Sequence, residues 1–289
     1  MSLVPFDDRD GFIWMDGRFV PWREAMVHVL THSLHYASSV FEGIRAYAGR
    51  PFKLTEHLER LRSSGKFLGY DLPFSVEQLE AASLELMKKN AMKDCYLRPF
   101  AWRGSEQMGL SSRQSRIHVA IAVWEWPSYF ALKKGTGLRL ITATWRRPDP
   151  RTAPVKSKAA CHYAIGTLAK HAAEDAGFHD SLMLSSDGNI AEATGANIFL
   201  VMDGKLHTPT PDCFLDGITR RTVIQLAKKR KIPVIERIIR PEELGQAQEV
   251  FLTGTAAEVT AVESIDKYLF TPGQVTESLQ DDFHKLTKN

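Results

Sequence analysis

From Phe12 onward the chain alternates short apolar runs of strand type with longer stretches of helical period. FIWMDGRFV (12–20) and IRAYAGRPFKL (44–54), each punctuated by a glycine at a turn, predict short paired strands. EHLERLRSSGKFLG and SVEQLEAASLELMKKN then predict two helices. CYLRPFAWRG (95–104) and the apolar IHVAIAVWEW predict strands on either side of a loop, SEQMGLSSRQS. The character changes after Trp126, where PSYFALKKGTGLR (127–139) mixes Pro, Gly and Lys and predicts a domain connection with its boundary near residue 132. Beyond it come a strand, LRLITATW, and a helix, HYAIGTLAKHAAEDAG. SLMLSSDGNIAEATGANIFLVMDGKLHTP follows as a meander whose SSDGN and MDGK turns carry the Asp-Gly hairpin signal. TRRTVIQLAKKR predicts a helix, PEELGQA a short one, EVFLTGTAAEVTAVESID a strand–turn–strand, and the last ~20 residues a terminal helix. No internal repeat or low-complexity tract interrupts the order, which is that of an α+β chain with a small N-terminal α/β domain over 1–131 and a larger C-terminal domain over 132–289.

Composition adds limits to this picture. With 289 residues, 44% of them hydrophobic, the chain can bury two cores. A net charge of +3 from 37 basic and 34 acidic residues makes no large field of one sign, so neither nucleic acid nor a membrane surface is favoured. The KKRK run at 228–231 reads as the last turn of a helix, where cations complement the dipole. The N-terminal residues show no secretory pattern and no apolar run approaches ~18 residues, so the expected location is the cytoplasm. Cys95, Cys161 and Cys213 are far apart and lack a CxxC spacing; they read as small buried hydrophobes. VHVLTHSLHY brings His28, His32 and His35 together, and on a helix the first two would share a face; without an HExxH glutamate, no metal site is expected.

Candidate chemistry centres on APVKSKAACHYA (153–164), where Lys158 is followed by small and apolar residues. Lys156 reads as solvated, whereas Lys158 reads as a lysine led inward, provided other segments supply it with partners. LDGITR (215–220) places Gly217 before a helix whose first amides are those of Gly217, Ile218 and Thr219. TGTAAE (253–258) sets Gly254, Thr255 and Ala256 at a strand end. Unpaired amides at such positions bind anions, although glycine there is commonplace. Together with Thr219, Thr255 and Arg60 they could hold a phosphate monoester. A phosphate-bearing aldehyde near Lys158 would form a Schiff base, the arrangement of pyridoxal phosphate. Such a ring needs a carboxylate on its nitrogen; Glu192 in NIAEATGANIF is charged among apolar and small neighbours, with no cationic partner apparent, and reads either as that group or as an edge residue facing water.

HSLHYASSVFEGIRAY, EHLERL, YLRPF, MGL, PVKSKAACHY, AEATGANIF, LDGITR and TGTAAEV resemble, in the same order, the segments of the branched-chain amino acid aminotransferases, within the fold-type IV pyridoxal-phosphate enzymes. The likeness runs from about residue 12 to about residue 268. It implies a D-amino acid aminotransferase-like fold of two domains with the active site between them, a pyridoxal 5'-phosphate cofactor, and transamination between Leu, Ile or Val and 2-oxoglutarate. By position it implies that Lys158 bonds the cofactor, Tyr163 its phenolic oxygen and Glu192 its ring nitrogen. Arg60, Gly217, Ile218, Thr219 and Thr255 fall where the family holds the phosphate. Tyr96, Thr255 and Ala256 fall at the substrate α-carboxylate, and Arg98 at the distal carboxylate of glutamate, with Gly43 and Arg45 at the rim. Phe41, Tyr36, Trp126, Tyr129, Met108 and Leu110 would form the apolar lining. The family forms homodimers at least, and Tyr36 and Met108–Leu110 are implied to reach the neighbouring subunit's site. Cys161, His162, Ala193 and Ala196 depart from the family pattern around the cofactor and bear on substrate range. The rivals within the fold type are a D-amino acid aminotransferase, against which YLRPF and MGL argue, and an aminodeoxychorismate lyase, against which the lining around Arg98 argues.

Overall fold

The computed structural model describes residues 4–126 and 137–288. The chain forms two compact units, Met1–Pro127 with Ser157–Cys161, and Ser128–Lys156 with His162–Asn289. The boundary expected near residue 132 lies outside the described residues, while the lysine-bearing segment packs with the first unit.

The first unit is built on a seven-stranded sheet whose centre is a long antiparallel pair, Cys95–Arg103 with Ile117–Glu125. Short hairpins extend it on both sides: Phe12–Met15 with Arg18–Pro21, and Ile44–Tyr47 with Arg50–Pro51. Each turns through a residue pair at positive φ, Asp16-Gly17 and Ala48-Gly49, which glycine permits at no steric cost. Alternation along the central strand decides what faces where. Cys95, Leu97 and Ala101 join the core under the helices Leu54–Phe67 and Val76–Lys89, against Leu58, Leu61, Leu79 and Leu86. Tyr96, one position out of phase, clusters instead with Trp22, Ala122 and Trp124. The YLRPF segment therefore presents Tyr96 and Arg98 on the face away from the helices.

In the second unit Ile190–Ala193 pairs with both Asp180–Leu184 and Asn197–Met202, closing six of the nine strands into a circuit. Leu138–Arg146 runs parallel to its two neighbours, Asp180–Leu184 and Glu258–Ile265. Inside lie Leu138, Leu140, Leu182, Ile198, Leu200, Leu252 and Val262. The expected helices appear as Ala164–Asp175, Ile218–Lys229 and Gln274–Lys288. Of the basic run, Lys228 and Lys229 end the Ile218–Lys229 helix, Arg230 caps it, and Lys231 turns away at φ 59. Among the described residues no helix is long and apolar enough to cross a membrane.

Two expectations need correction. Cys95 and Cys213 are buried, but Cys161 is exposed, because it sits on the 3-10 turn Ala160–His162 and not within a strand or long helix. The histidines do not share a helix face either: the helix is only His32–Tyr36, and His28 precedes it.

The Val76–Lys89 helix starts with Ser75, whose hydroxyl accepts from the Gln78 amide while the Gln78 side chain accepts from the Ser75 amide. Ser75→Ala is expected to destabilise the first unit by about 1 kcal/mol, read as a lower urea midpoint with unchanged slope.

Candidate active site

Lys158 is fixed through its backbone. Its amide donates to Ser64 Oγ at 2.9 Å, its carbonyl accepts from the Phe41 amide at 3.1 Å, and the preceding Ser157 hydroxyl donates to the Ser64 carbonyl at 2.9 Å. Ala159 bridges to Val40, which is fully buried. The segment is thereby stitched to one strand and one helix of the first unit, and the half-buried Lys158 amine lies 4.6 Å from the centre of the Phe41 ring. Lys156, two residues earlier, is exposed.

Next to Phe41 in the chain is a carboxylate that the sequence reading did not single out. Glu42 has no exposed surface and accepts from Arg60 through both oxygens, at 2.6 and 2.9 Å, and from His57 Nδ1 at 2.6 Å. Burial pushes its carboxyl up, but the Arg60 and His57 charges and hydrogen bonds override burial and hold it well below the usual carboxylate range. His57 also moves down: burial lowers it, opposed by Glu42 and assisted by Arg60 and Lys158. Arg60, expected only at a phosphate, is thus oriented by Glu42.

On the helix-free face of the same sheet, Arg98 is caged by aromatic rings. Its guanidinium carbon lies 4.8 Å from the Phe41 ring, 5.4 Å from Tyr96 and 5.9 Å from Trp124. Nη2 donates to the Tyr96 hydroxyl at 3.3 Å, while Nε is buried and has no hydrogen-bond partner among the described residues. Trp126 stacks on Tyr96 at 4.7 Å. A methyl group on Gly43 would lie 1.8 Å from the Tyr96 hydroxyl, so only glycine there lets Tyr96 approach. Arg45 stands 5.2 Å over Tyr47. Tyr36, Met108 and Leu110 are exposed, and Tyr129 lies outside the described residues.

The second unit gathers its own set around Asn197. Register pairs Asn197 with Glu192 on one side and with Thr253 on the other. Its Nδ2 donates to Glu192 Oε2 at 3.2 Å and to the Leu215 carbonyl at 3.0 Å. A Cβ on Gly217 would fall 2.2 Å from Asn197 Oδ1, so glycine at 217 again permits the approach. Glu192 is 8% exposed, and the cation that seemed to be missing is Arg147, which forms an ion pair with it at 2.9 Å. Arg147 also donates to the carbonyls of Ala193, Thr194 and His162, next to Tyr163. The alternative of an edge residue facing water is therefore ruled out for Glu192, and an anchoring arginine and asparagine were missed. No local pattern marks either, since Arg147 lies in a loop-bound WRRPDP stretch and Asn197 is one polar residue in an apolar strand.

Gly217 caps the Ile218–Lys229 helix with no side-chain hydrogen bond. The amides of its first turn and the buried Thr219 make the start of this helix suited to an anion. Behind it, fully buried Arg220 ties Asp216, the Pro209 carbonyl and Glu236 together. The Glu249–Gly254 strand delivers Thr255 and Ala256 in the turn that follows, and a Cβ added at Gly254 would meet the Ala196 methyl at 3.5 Å. Of the histidine group, His28 accepts from the Leu30 amide and His35 bonds the Val29 carbonyl.

Comparison with known proteins agrees with this architecture. The family model for class IV amino-transferases matches residues 39–265. A probable branched-chain-amino-acid aminotransferase of Rickettsia bellii (strain RML369-C) is 42% identical over 96% of both chains. The branched-chain-amino-acid aminotransferase of Pseudomonas aeruginosa is 37% identical over 96% of this chain and 94% of its own. Among solved structures, the branched-chain aminotransferase from the thermophilic archaeon Thermoproteus uzoniensis with norvaline has a TM-score of 0.93 at 38% identity, covering 97% of this chain and 95% of that one. A branched-chain amino acid aminotransferase crystallised with pyridoxamine 5'-phosphate matches as well, with a TM-score of 0.93 at 39% identity and the same coverage of 97% and 95%. The chain belongs to the class IV aminotransferase family, and its α+β fold is that of the branched-chain enzymes.

Glu42→Gln would leave Arg60 without its buried counter-charge, a loss of roughly 3–5 kcal/mol at pH 7. Because folding depresses the Glu42 pKa, its stabilisation is complete above about pH 5 and is lost as pH falls toward the depressed folded value. His57, also lowered in the folded state, acts in the same direction. The stability gap between the native protein and Glu42→Gln, measured by denaturant unfolding, should therefore narrow below about pH 4.

Proposed function

We propose that the protein is a pyridoxal 5'-phosphate aminotransferase that moves the amino group between L-leucine, L-isoleucine or L-valine and 2-oxoglutarate. The observation that carries this reading is Arg98: a guanidinium inside an aromatic cage with a buried Nε lacking a partner among the described residues, adjacent to the Lys158 amine through their shared neighbour Phe41. A site of apolar walls with one orphan cationic donor suits a pair of substrates, one with an aliphatic side chain and one with a carboxylate.

The residues present fit the cofactor. A carboxylate offers four acceptor positions, so Glu192, steadied by Arg147 and Asn197, can accept from a protonated ring nitrogen. Arg60, Thr255 and the Gly217–Thr219 helix start would hold the phosphate, and Tyr163 the phenolic oxygen. When bound, the cofactor supplies an electron sink for the electrons left when the substrate Cα loses its proton. Lys158 would bond the cofactor at rest and, once freed by substrate, move a proton from Cα through Nζ. Tyr96, with Thr255 and Ala256, would orient the α-carboxylate. Phe41 and Trp126 would exclude water, and Gly43 would leave room at the rim beside Arg45.

The exposed apolar residues Met26, Val29, Leu34 and Leu110 support a homodimer. A cytoplasmic location belongs to the same reading, since amino acids and 2-oxo acids are small, charged and water-soluble.

The test is a panel of L- and D-amino acid donors against 2-oxoglutarate. L-leucine, L-isoleucine and L-valine should be donors, and turnover of D-amino acids alone would overturn the reading. In the same assay Arg98→Ala should impair the 2-oxoglutarate half-reaction by about tenfold or more over the leucine half-reaction, because only the former brings a second carboxylate. Equal losses in both would remove the role given to Arg98.

A further inference from the structure

His32 is 3% exposed, and each of its ring nitrogens has a partner. Nε2 is 3.0 Å from the Gly109 carbonyl and Nδ1 is 2.8 Å from Ser38 Oγ. A carbonyl can only accept, so Nε2 carries a proton and donates to Gly109, while Nδ1 is hydrogen-bonded to the Ser38 hydroxyl. Ser38 Oγ in turn lies 3.0 Å from Ser33 Oγ, and Ser33 Oγ accepts from the Arg103 amide at 2.9 Å. The His32 amide donates to the Gly104 carbonyl at 2.9 Å, at the root of the loop whose tip carries Gly109. These hydrogen bonds run from the central strand of the first unit to the tip of the 105–115 loop, with the ring as the last link.

The side chains around this anchor are the opposite in character. Met108 is 44% exposed and Leu110 88%, on either side of Gly109, whose φ is +100. Tyr36, itself 40% exposed, lies against the His32 ring with centroids 4.6 Å apart. The base of the loop is held by Arg103, which donates to the Ser112 carbonyl at 3.4 Å, and by the Gln107 side chain, which accepts from the Gln114 amide at 3.2 Å. At its tip the buried His32 imidazole holds Gly109, and the same ring backs Tyr36.

We propose that His32 is a positioning residue for substrate choice: through Gly109 and Tyr36 it fixes the wall that Tyr36, Met108 and Leu110 present to the donor's aliphatic side chain in the neighbouring subunit's site. The inference rests on the aminotransferase reading above, and it assigns to the histidine-rich segment the task of shaping that wall.

The experiment compares His32→Phe and His32→Gln in the cofactor-loaded enzyme with leucine and alanine as donors. Phe keeps the ring against Tyr36 but cannot donate to Gly109; Gln restores an amide N–H. His32→Phe should raise the KM for leucine about tenfold with kcat changed by less than about threefold, and lower the leucine-over-alanine ratio of kcat/KM about tenfold. His32→Gln should return that ratio to within about threefold of the unsubstituted enzyme. An unchanged ratio in His32→Phe, an equal loss for both donors, or a His32→Gln variant no better than His32→Phe would overturn the proposal. Should the position-32 variants not fold, nitrogen NMR of the unsubstituted holoenzyme decides: a His32 ring carrying a proton on Nε2 is expected, and one without it contradicts the anchor. Failure of the underlying reading is separate, because it shows as an unsubstituted enzyme that does not use leucine.

Discussion

A carboxylate removed from water has to be given a counter-charge, at a penalty of several kcal/mol per unpaired ion. Each unit of this chain places one such ion-paired group beside its functional residues. In the first, Glu42 takes two nitrogens of Arg60 and the Nδ1 proton of His57. In the second, Glu192 is paired with Arg147 and braced by Asn197. Neither pairing is a surface ornament: the partners are themselves bonded to backbone carbonyls or drawn from the helix and strands that carry the other functional residues.

That arrangement lets charge be used without loosening the fold. Glu42 orients Arg60 on the Leu54–Phe67 helix, the same helix whose Ser64 holds the backbone of Lys158. Arg147 binds three carbonyls around Tyr163 and Glu192, and Asn197 joins Glu192 to the turn that starts the Ile218–Lys229 helix. Two glycines make the close approaches possible, Gly43 at Tyr96 and Gly217 at Asn197. Substituting a larger residue at either would displace the side chain that now occupies the space.

Much of this was readable in the sequence, and what was not has a common cause. Periodicity and Asp-Gly turns located the strands and helices, because those signals are local. The small residues around Lys158 and the isolated charge of Glu192 stood out for the same reason. Arg147 did not, since its pairing with Glu192 depends on strand register between segments far apart in the chain, which no window shows. Glu42 and His57 lay inside motifs whose order was recognised, yet their contact is made by a helix folding back over a strand. Cys161 was misjudged because apolar neighbours suggest burial, whereas the 3-10 turn points it outward. The histidine cluster raised a metal site only to set it aside for want of a glutamate, and left His32 without a task; its place as a hydrogen-bond anchor is revealed only by its two partners.

The account stands or falls on the amine at Lys158. Incubation with pyridoxal 5'-phosphate, reduction by borohydride and peptide mapping by mass spectrometry would fix the cofactor to whichever amine had bonded it. The proposed function predicts a single stable adduct on the peptide containing Lys158. An adduct on Lys156 or another lysine, or none under conditions that support turnover, would contradict it.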